Sequence, residues 1–288
     1  MFARTVAIVA FAFGAGALLM IAQRRRADSA TSWQKYGTYA VFVLLMLGAA
    51  FAGRVVFALA VSIVLGAALF EFFQAAGMTN GTALALTVAG LAIAAVAFSG
   101  GQAALYPTVV TLVLVTLSLA AFSANPQNGA VSAVWGVVGL VAVAAPGAHL
   151  LLLAGHLDRF ALFAFLFLVV CGADAFAELA GRRWPVGRGI LRASPNKTVG
   201  GLLGGLTGAV ALALLLSSAL GLWPPLKAAA YGLVTALAGI VGDLIASSMK
   251  RALGIKDFGA LLAQHGGVLD RFDSLIFAAA PFYWLTGG

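Results

Sequence analysis

The chain has 288 residues, 62% of them hydrophobic and 9% charged. A typical soluble domain carries roughly 25% charged residues, so this composition excludes a water-soluble globular core and specifies a polytopic membrane protein. The net charge of +8 comes without the aromatic-interleaved basic stripe of a nucleic-acid binder. It reads instead as orientation, because Lys and Arg gather in cytoplasmic loops.

The architecture expected is all-α, with about ten transmembrane helices. Apolar runs near the roughly 20 residues that a span requires fall at 5–21, 37–53, 55–76, 82–98, 104–123, 130–146, 160–180, 199–218 and 226–248, with a shorter tenth at 275–286. The first is preceded only by Arg4 and followed by Arg24, Arg25 and Arg26 in place of a small-residue cleavage site, which marks a retained span and not a signal peptide. Breakers are expected at Gly77 to Gly81, at Asn125-Pro126, at Pro146-Gly147 and at Trp223-Pro224-Pro225. Residues 148–159 are too short to cross and are expected at an interface or in a re-entrant piece. The single Cys171 rules out an intrachain disulfide and a cysteine-based metal site.

With the N-terminus outside, the loops at 22–36, 181–198 and 249–274 lie inside and hold 13 of the 17 basic residues; Arg4, Arg54, Arg159 and Lys227 remain outside. That asymmetry is what the positive-inside rule demands. Residues 174–273 carry 16 of the 26 charges, so 1–159 reads as scaffold and 160–288 as the catalytic region.

Two constellations stand out, because polar groups beside a membrane are functional candidates by default. In the ninth span Asp243, Ser247 and Lys250 share one helix face at i, i+4 and i+7, with Lys250 the candidate cation for Asp243. Asp270 and Asp273 bracket Arg271 ahead of the last span. Hard oxygen ligands from separate segments suit Mg²⁺, held by one or two carboxylates plus substrate phosphates, which makes Asp243 and Asp270 the candidate metal ligands. Lys250, Arg251 and Lys256 supply charge for a polyphosphate, and Gly266-Gly267 admits close backbone approach. In the second constellation Asp174 and Glu178 project to one side, followed by Ser194-Pro195-Asn196-Lys197-Thr198. The glycines 200, 201, 204 and 205 suit close helix packing. Lys197-Thr198 lacks the glycine spacing of a P-loop.

In order, Ser247, Lys250-Arg251, Lys256-Asp257, Gly259, His265-Gly266-Gly267, Asp270-Arg271 and Asp273 resemble the C-terminal motif of the integral-membrane CTP:phosphatidate cytidylyltransferases, the CDP-diacylglycerol synthases. Gly242-Asp243-Leu244 and the Ser194 to Thr198 motif are similar to that family too, and the resemblance covers about residues 170–288. Glu71, between Phe70 and Phe72, is a further match, with a carboxylate snorkelling to the interface as the other reading. The resemblance implies transfer of the cytidylyl group of CTP to phosphatidate, giving CDP-diacylglycerol and pyrophosphate. It implies Mg²⁺, with a second cation an open alternative, at Asp243 and Asp270. It assigns Asp243, Asp270, Lys250 and Asp273 to catalysis. It assigns Asp174, Ser194, Asn196, Lys197, Thr198, Ser247, Arg251, Lys256, Asp257, His265, Gly266, Gly267 and Arg271 to substrate. His265 is either a phosphate donor or a turn residue.

The resemblance further implies a homodimer in the inner membrane of a bacterium-like cell, its active site facing the cytoplasm. The chain departs from the family at Val199 and Gly200, where Trp-Glu is usual, at Ala246 for Glu, at Ala263-Gln264 for Pro-Gly and at Glu178 for Tyr. Those departures leave open a diverged paralogue using another lipid phosphate. A transporter or non-catalytic membrane partner is the competing class, and the few charges in the first nine spans argue against a transport pathway.

Overall fold

The computed structural model describes residues 29–123, 125–187, 194–259 and 266–287. The expected first span at 5–21 and His265 lie outside the described residues, as do Ala263 and Gln264. Every regular element among the described residues is helical, because a backbone in hydrocarbon must satisfy its own hydrogen bonds and a helix does so within one segment.

Helix α1 (Ser29–Ala52) ends at Gly53, and α2 (Arg54–Ala75) follows at once. Arg54 opens α2 by donating to the Phe98 carbonyl at 2.6 Å while its guanidinium lies 4.3 Å from the Phe98 ring centroid. Helix α3 (Asn80–Ala120) begins under a Thr79 cap, whose hydroxyl accepts from the Thr82 N–H. At Gly101 (φ 67°, ψ −163°) α3 leaves helical geometry, a left-handed φ that glycine adopts without a Cβ penalty. A methyl placed on Gly136 would lie 2.8 Å from Thr116 and 3.3 Å from Leu86. In a straight helix those two residues would stand about 45 Å apart. Helix α3 therefore doubles back at Gly101 as a helical hairpin, with both arms against the same neighbour.

That neighbour is α4 (Pro126–Leu153). Asn125 caps it, its side chain accepting from the N–H groups of Gln127 and Asn128. The expected break at Pro146-Gly147 does not occur, and residues 148–153 continue the same helix instead of re-entering. A π-helical turn at Leu140–Ala144 lies just before the proline. Widening the ladder there accommodates a residue with no N–H to give.

Helix α5 (Arg159–Arg183) ends on Arg182 and Arg183, favourably placed against the helix dipole. Thr198 caps α6 (Val199–Leu220) by accepting from the Gly201 N–H at 2.9 Å. A methyl at Gly201 or Gly205 would lie 2.8 and 2.9 Å from the Ala177 and Ala173 carbonyls of α5, so these small residues do bring the two helices close. Helices α7 (Pro225–Ala252) and α8 (Leu269–Leu285) complete the bundle. The core between the helices is mostly alanine and leucine, and its largest fully buried side chains include Phe57, Phe72, Phe163, Phe165 and Phe282.

Six helices among the described residues are long and apolar enough to cross a membrane, with 40–52 a shorter apolar stretch. The protein is thus an all-α polytopic membrane protein, but among the described residues the expected count of about ten is not reached by length and composition. The expected spans 82–98 and 104–123 are the two arms of the α3 hairpin and count there as one helix, and α8 has only 17 residues. The C-terminal ends of α2, α5 and α7 meet the N-terminal ends of α6 and α8 at one end of the bundle. Contacts of Glu71 with Leu269, of Lys197 with Asp243 and of Lys250 with Asp270 tie them together.

Candidate active site

Asp270 sits in the first turn of α8 with its side chain 7% exposed. Lys250, from the last turn of α7, donates to its Oδ1 at 2.7 Å. The backbone N–H groups of Phe258 and Gly267 donate to its Oδ2 at 2.8 and 3.1 Å. Lys250 also lies 5.4 Å from the Phe258 ring centroid. Three donors on one carboxylate answer the desolvation that an isolated buried charge would suffer.

Asp243, two turns earlier on α7, pairs with Lys197. This corrects the sequence expectation that Lys250 would neutralise it. Seven residues along a helix is a rise of about 10.5 Å, and Asp270 takes Lys250 first. The Ser247 hydroxyl reaches toward Asp243 Oδ1 at 3.5 Å, as the shared helix face implies. Asp273 is buried one turn beyond Asp270, and its carboxylate accepts from the Ser274 N–H. Asp174, Asp243 and Asp273 lie near enough for their charges to act on one another, with Lys197 acting on Asp174 and Lys250 on Asp273.

Beside this cluster, α5, α6 and α7 enclose a cavity of about 840 Å³. Asp174, Glu178, Arg182, Asn196 and Lys197 line its polar side, and Leu202, Ile240 and Leu244 its apolar side. Asp174 and Glu178 thus share one wall, as their i, i+4 spacing implies, and Glu178 is paired with Arg182 within its own helix. Thr198 also lines the cavity, its hydroxyl engaged as the α6 cap. Ser194 closes the preceding turn, its carbonyl accepting from the Lys197 N–H.

The remaining candidates are more peripheral. Arg251 is exposed and turned toward the Ile255 carbonyl, and Lys256 and Asp257 are exposed. Gly266 has a left-handed φ of 77°, and a Cβ there would stand 3.5 Å from carboxylate oxygens of both Asp257 and Asp270. Arg271 is half-buried in the first turn of α8.

Glu71 is not a snorkelling carboxylate: it is 5% exposed and accepts from the Leu269 N–H at 3.1 Å. The sequence signals for this were a lone carboxylate inside an apolar span and the Phe70-Glu71-Phe72 match to the family. The Lys197–Asp243 pair had no local signal, since its partners are 46 residues apart.

The donor set suits a hard divalent cation. Four carboxylates (Asp174, Asp243, Asp270 and Asp273) and two lysines gather at this end of the bundle, a set of hard oxygen donors. Among the described residues no three carboxylate, histidine or cysteine side chains converge on one point. Carboxylate oxygens of this kind would fit Mg²⁺ held by one or two of them and completed by substrate phosphates.

The cytidylyltransferase family matches residues 33–287. Protein YnbB of Escherichia coli is 35% identical over 152 residues, covering 52% of this chain and 51% of its own. A phosphatidate cytidylyltransferase of Brucella abortus is 41% identical over 124 residues, covering 43% of this chain and 46% of its own. The chloroplastic phosphatidate cytidylyltransferase 4 of Arabidopsis thaliana is 42% identical over 117 residues, covering 40% and 29%. The chain thus spans about half, or less, of the length of these relatives. A family match running through nearly every helix described above, from α1 to α8, makes the chain a member of the cytidylyltransferase family.

Proposed function

We propose that the protein transfers the cytidylyl group of CTP to phosphatidate, forming CDP-diacylglycerol and pyrophosphate. The observation that carries this reading is a cavity charged on one wall and apolar on the other, with Lys197 of the Lys197–Asp243 pair in its lining and the Lys250–Asp270 pair at the same end of the bundle. That geometry suits a substrate with an anionic head and acyl chains that remain in hydrocarbon. A phosphate oxygen of the lipid attacks the α-phosphorus of CTP. As that P–O bond forms, the bond from the α-phosphorus to the oxygen bridging to the β-phosphate breaks, and pyrophosphate leaves with the electron pair.

Such transfers depend chiefly on positioning and charge stabilisation. Lys197, Arg182 and Asn196 orient the lipid phosphate from the cavity side. Lys250, Arg251, Lys256 and Arg271 meet the triphosphate, with Ser247, Asp257, Gly266 and Gly267 shaping that side of the site. Asp243 and Asp270 would hold Mg²⁺, which when bound neutralises the triphosphate and the leaving pyrophosphate. Ser194 and Thr198 keep Lys197 in place through the turn and the helix cap.

The site end of the bundle carries Arg182, Arg183, Lys197, Lys250, Arg251, Lys256 and Arg271, while Arg54, Arg159 and Lys227 lie at the other. This bias supports a cytoplasm-facing site in a bacterial inner membrane. A homodimer belongs to the same reading.

Pyrophosphate release from CTP and phosphatidate by the purified chain tests the proposal. It should require Mg²⁺, stop with EDTA and fall at least ~100-fold in Asp270→Asn, the scale of loss when a group holding transition-state charge is removed. Undiminished turnover in Asp270→Asn would overturn it. A second reading, a paralogue acting on another lipid phosphate, has one observation in its favour: Val199, where the chain departs from the family, lines the cavity. Product from other lipid phosphates but none from phosphatidate would select it.

A further inference from the structure

We propose that Glu71 is a positioning residue of this site, binding from α2 the Leu269 N–H, packing against the backbone at Gly259 and Gly267, and thereby setting the Asp270 carboxylate. The inference deepens the proposed function and rests on that reading for its kinetic arm alone.

A carboxylate buried near the end of an apolar helix needs donors to offset its desolvation. Glu71 finds one in the Leu269 N–H, 3.1 Å from its Oε2. That N–H is among the first of α8, which have no partner within the helix and carry the positive end of its dipole. The carboxylate also fills the space that two side chains would take. A Cβ at Gly259 would lie 2.5 Å from Oε1, and one at Gly267 would lie 2.5 Å from Oε2. Real Cβ atoms do not tolerate such distances, so glycine at both positions is what lets the carboxylate reach the backbone.

Asp270 holds the same two backbone segments from the other side. It accepts from the N–H of Phe258, next to Gly259, and from that of Gly267 itself. The two carboxylates form a clamp, one from each half of the chain. Phe72, adjacent to Glu71, adds a ring contact to Phe258 at 5.7 Å between centroids. The Phe258 ring in turn lies under Lys250, which is bonded to Asp270. The contacts thus close into a loop from α2 through Phe258, Lys250 and Asp270 to Leu269 and back to Glu71. Loss of Glu71 removes the grip that fixes where Asp270 points.

The test uses the full chain in detergent, with Glu71→Ala, Glu71→Gln, Gly267→Ala and the double variant Glu71→Ala/Gly267→Ala. Amide hydrogen exchange and steady-state pyrophosphate release are both measured. Glu71→Ala should lose protection at Phe258, Gly267 and Leu269 while amides in α5 and α6 keep theirs. Its kcat should fall about 100-fold, the loss typical of an ångström-scale misplacement, with KM for phosphatidate changed less than about two-fold, as expected when uniform substrate binding is spared. Glu71→Gln retains an acceptor for Leu269 and should recover most of the protection and rate. Gly267→Ala should resemble Glu71→Ala, and the double variant should be no worse than either, since both break one contact.

Unchanged protection at the three amides in Glu71→Ala would overturn the proposal, as would loss of protection throughout the bundle, which marks a merely structural role. If Glu71→Ala fails to fold, Glu71→Gln and Gly267→Ala decide by the same readouts. A native chain with no pyrophosphate release would defeat the proposed function, and the exchange measurement would still decide the clamp.

Discussion

The two lysine–aspartate pairs look alike in sequence yet sit in different dielectric surroundings. Lys250 and Asp270 are 13% and 7% exposed, whereas Lys197 and Asp243 are 30% and 29% exposed. Removing one partner of a buried pair leaves an uncompensated charge at about 3 kcal/mol, while an exposed pair contributes at most about 1 kcal/mol. Lys250→Met should therefore lower the thermal midpoint in detergent clearly, and Lys197→Met should barely move it. Both should depress pyrophosphate release, because each lysine faces a substrate phosphate in the proposed site. A Lys197→Met protein as unstable as Lys250→Met would show that the Asp243 pair is more buried than its exposure implies. At this scale the identities of the charged residues were readable, and their partners were not. Lys197 meets Asp243, and Glu71 meets Leu269, only through chain folding across 46 and 198 residues.

Helix termini were the more legible part of each element. Thr79, Asn125 and Thr198 all cap helices by accepting from backbone N–H groups one turn on, a local interaction that needs no tertiary partner. Helix interiors were less legible. Pro146-Gly147 resembles a break, yet the π-helical turn ahead of it keeps α4 continuous. The expected boundary between 82–98 and 104–123 does fall where α3 folds back, at Gly101, although no polar loop marks it. Gly101→Ala isolates that backbone device, since a methyl at this position meets nothing within 4 Å. Its cost is the left-handed backbone alone, about 1–2 kcal/mol, read as a lowered unfolding midpoint with activity per folded molecule retained. A neutral Gly101→Ala would mean that the hairpin bends without left-handed geometry.

The whole bundle has two chemically distinct ends, and α7 joins them. At 28 residues it is about 42 Å long, enough to cross a hydrocarbon core of about 30 Å. Lys227 opens it and Lys256 follows its last turn. In a Cys171→Ala background, Lys256→Cys should react with an impermeant thiol reagent only from the cytoplasmic side and Lys227→Cys only from the opposite side. Labelling of both from one side would overturn the proposed orientation.

Composition and hydropathy, read along the chain, were enough to establish an all-helical membrane protein and to gather its chemistry into residues 174–273. Those properties follow from solvation, which each residue carries wherever it sits. The ordered motif in the C-terminal third likewise pointed to the family before any contact was known. Only the folded bundle decided that Lys197 neutralises Asp243 and that Glu71 reaches across to the glycines beside Asp270. Each of these depends on which surfaces meet after helices pack, and a one-dimensional pattern holds no record of contacts between segments that far apart.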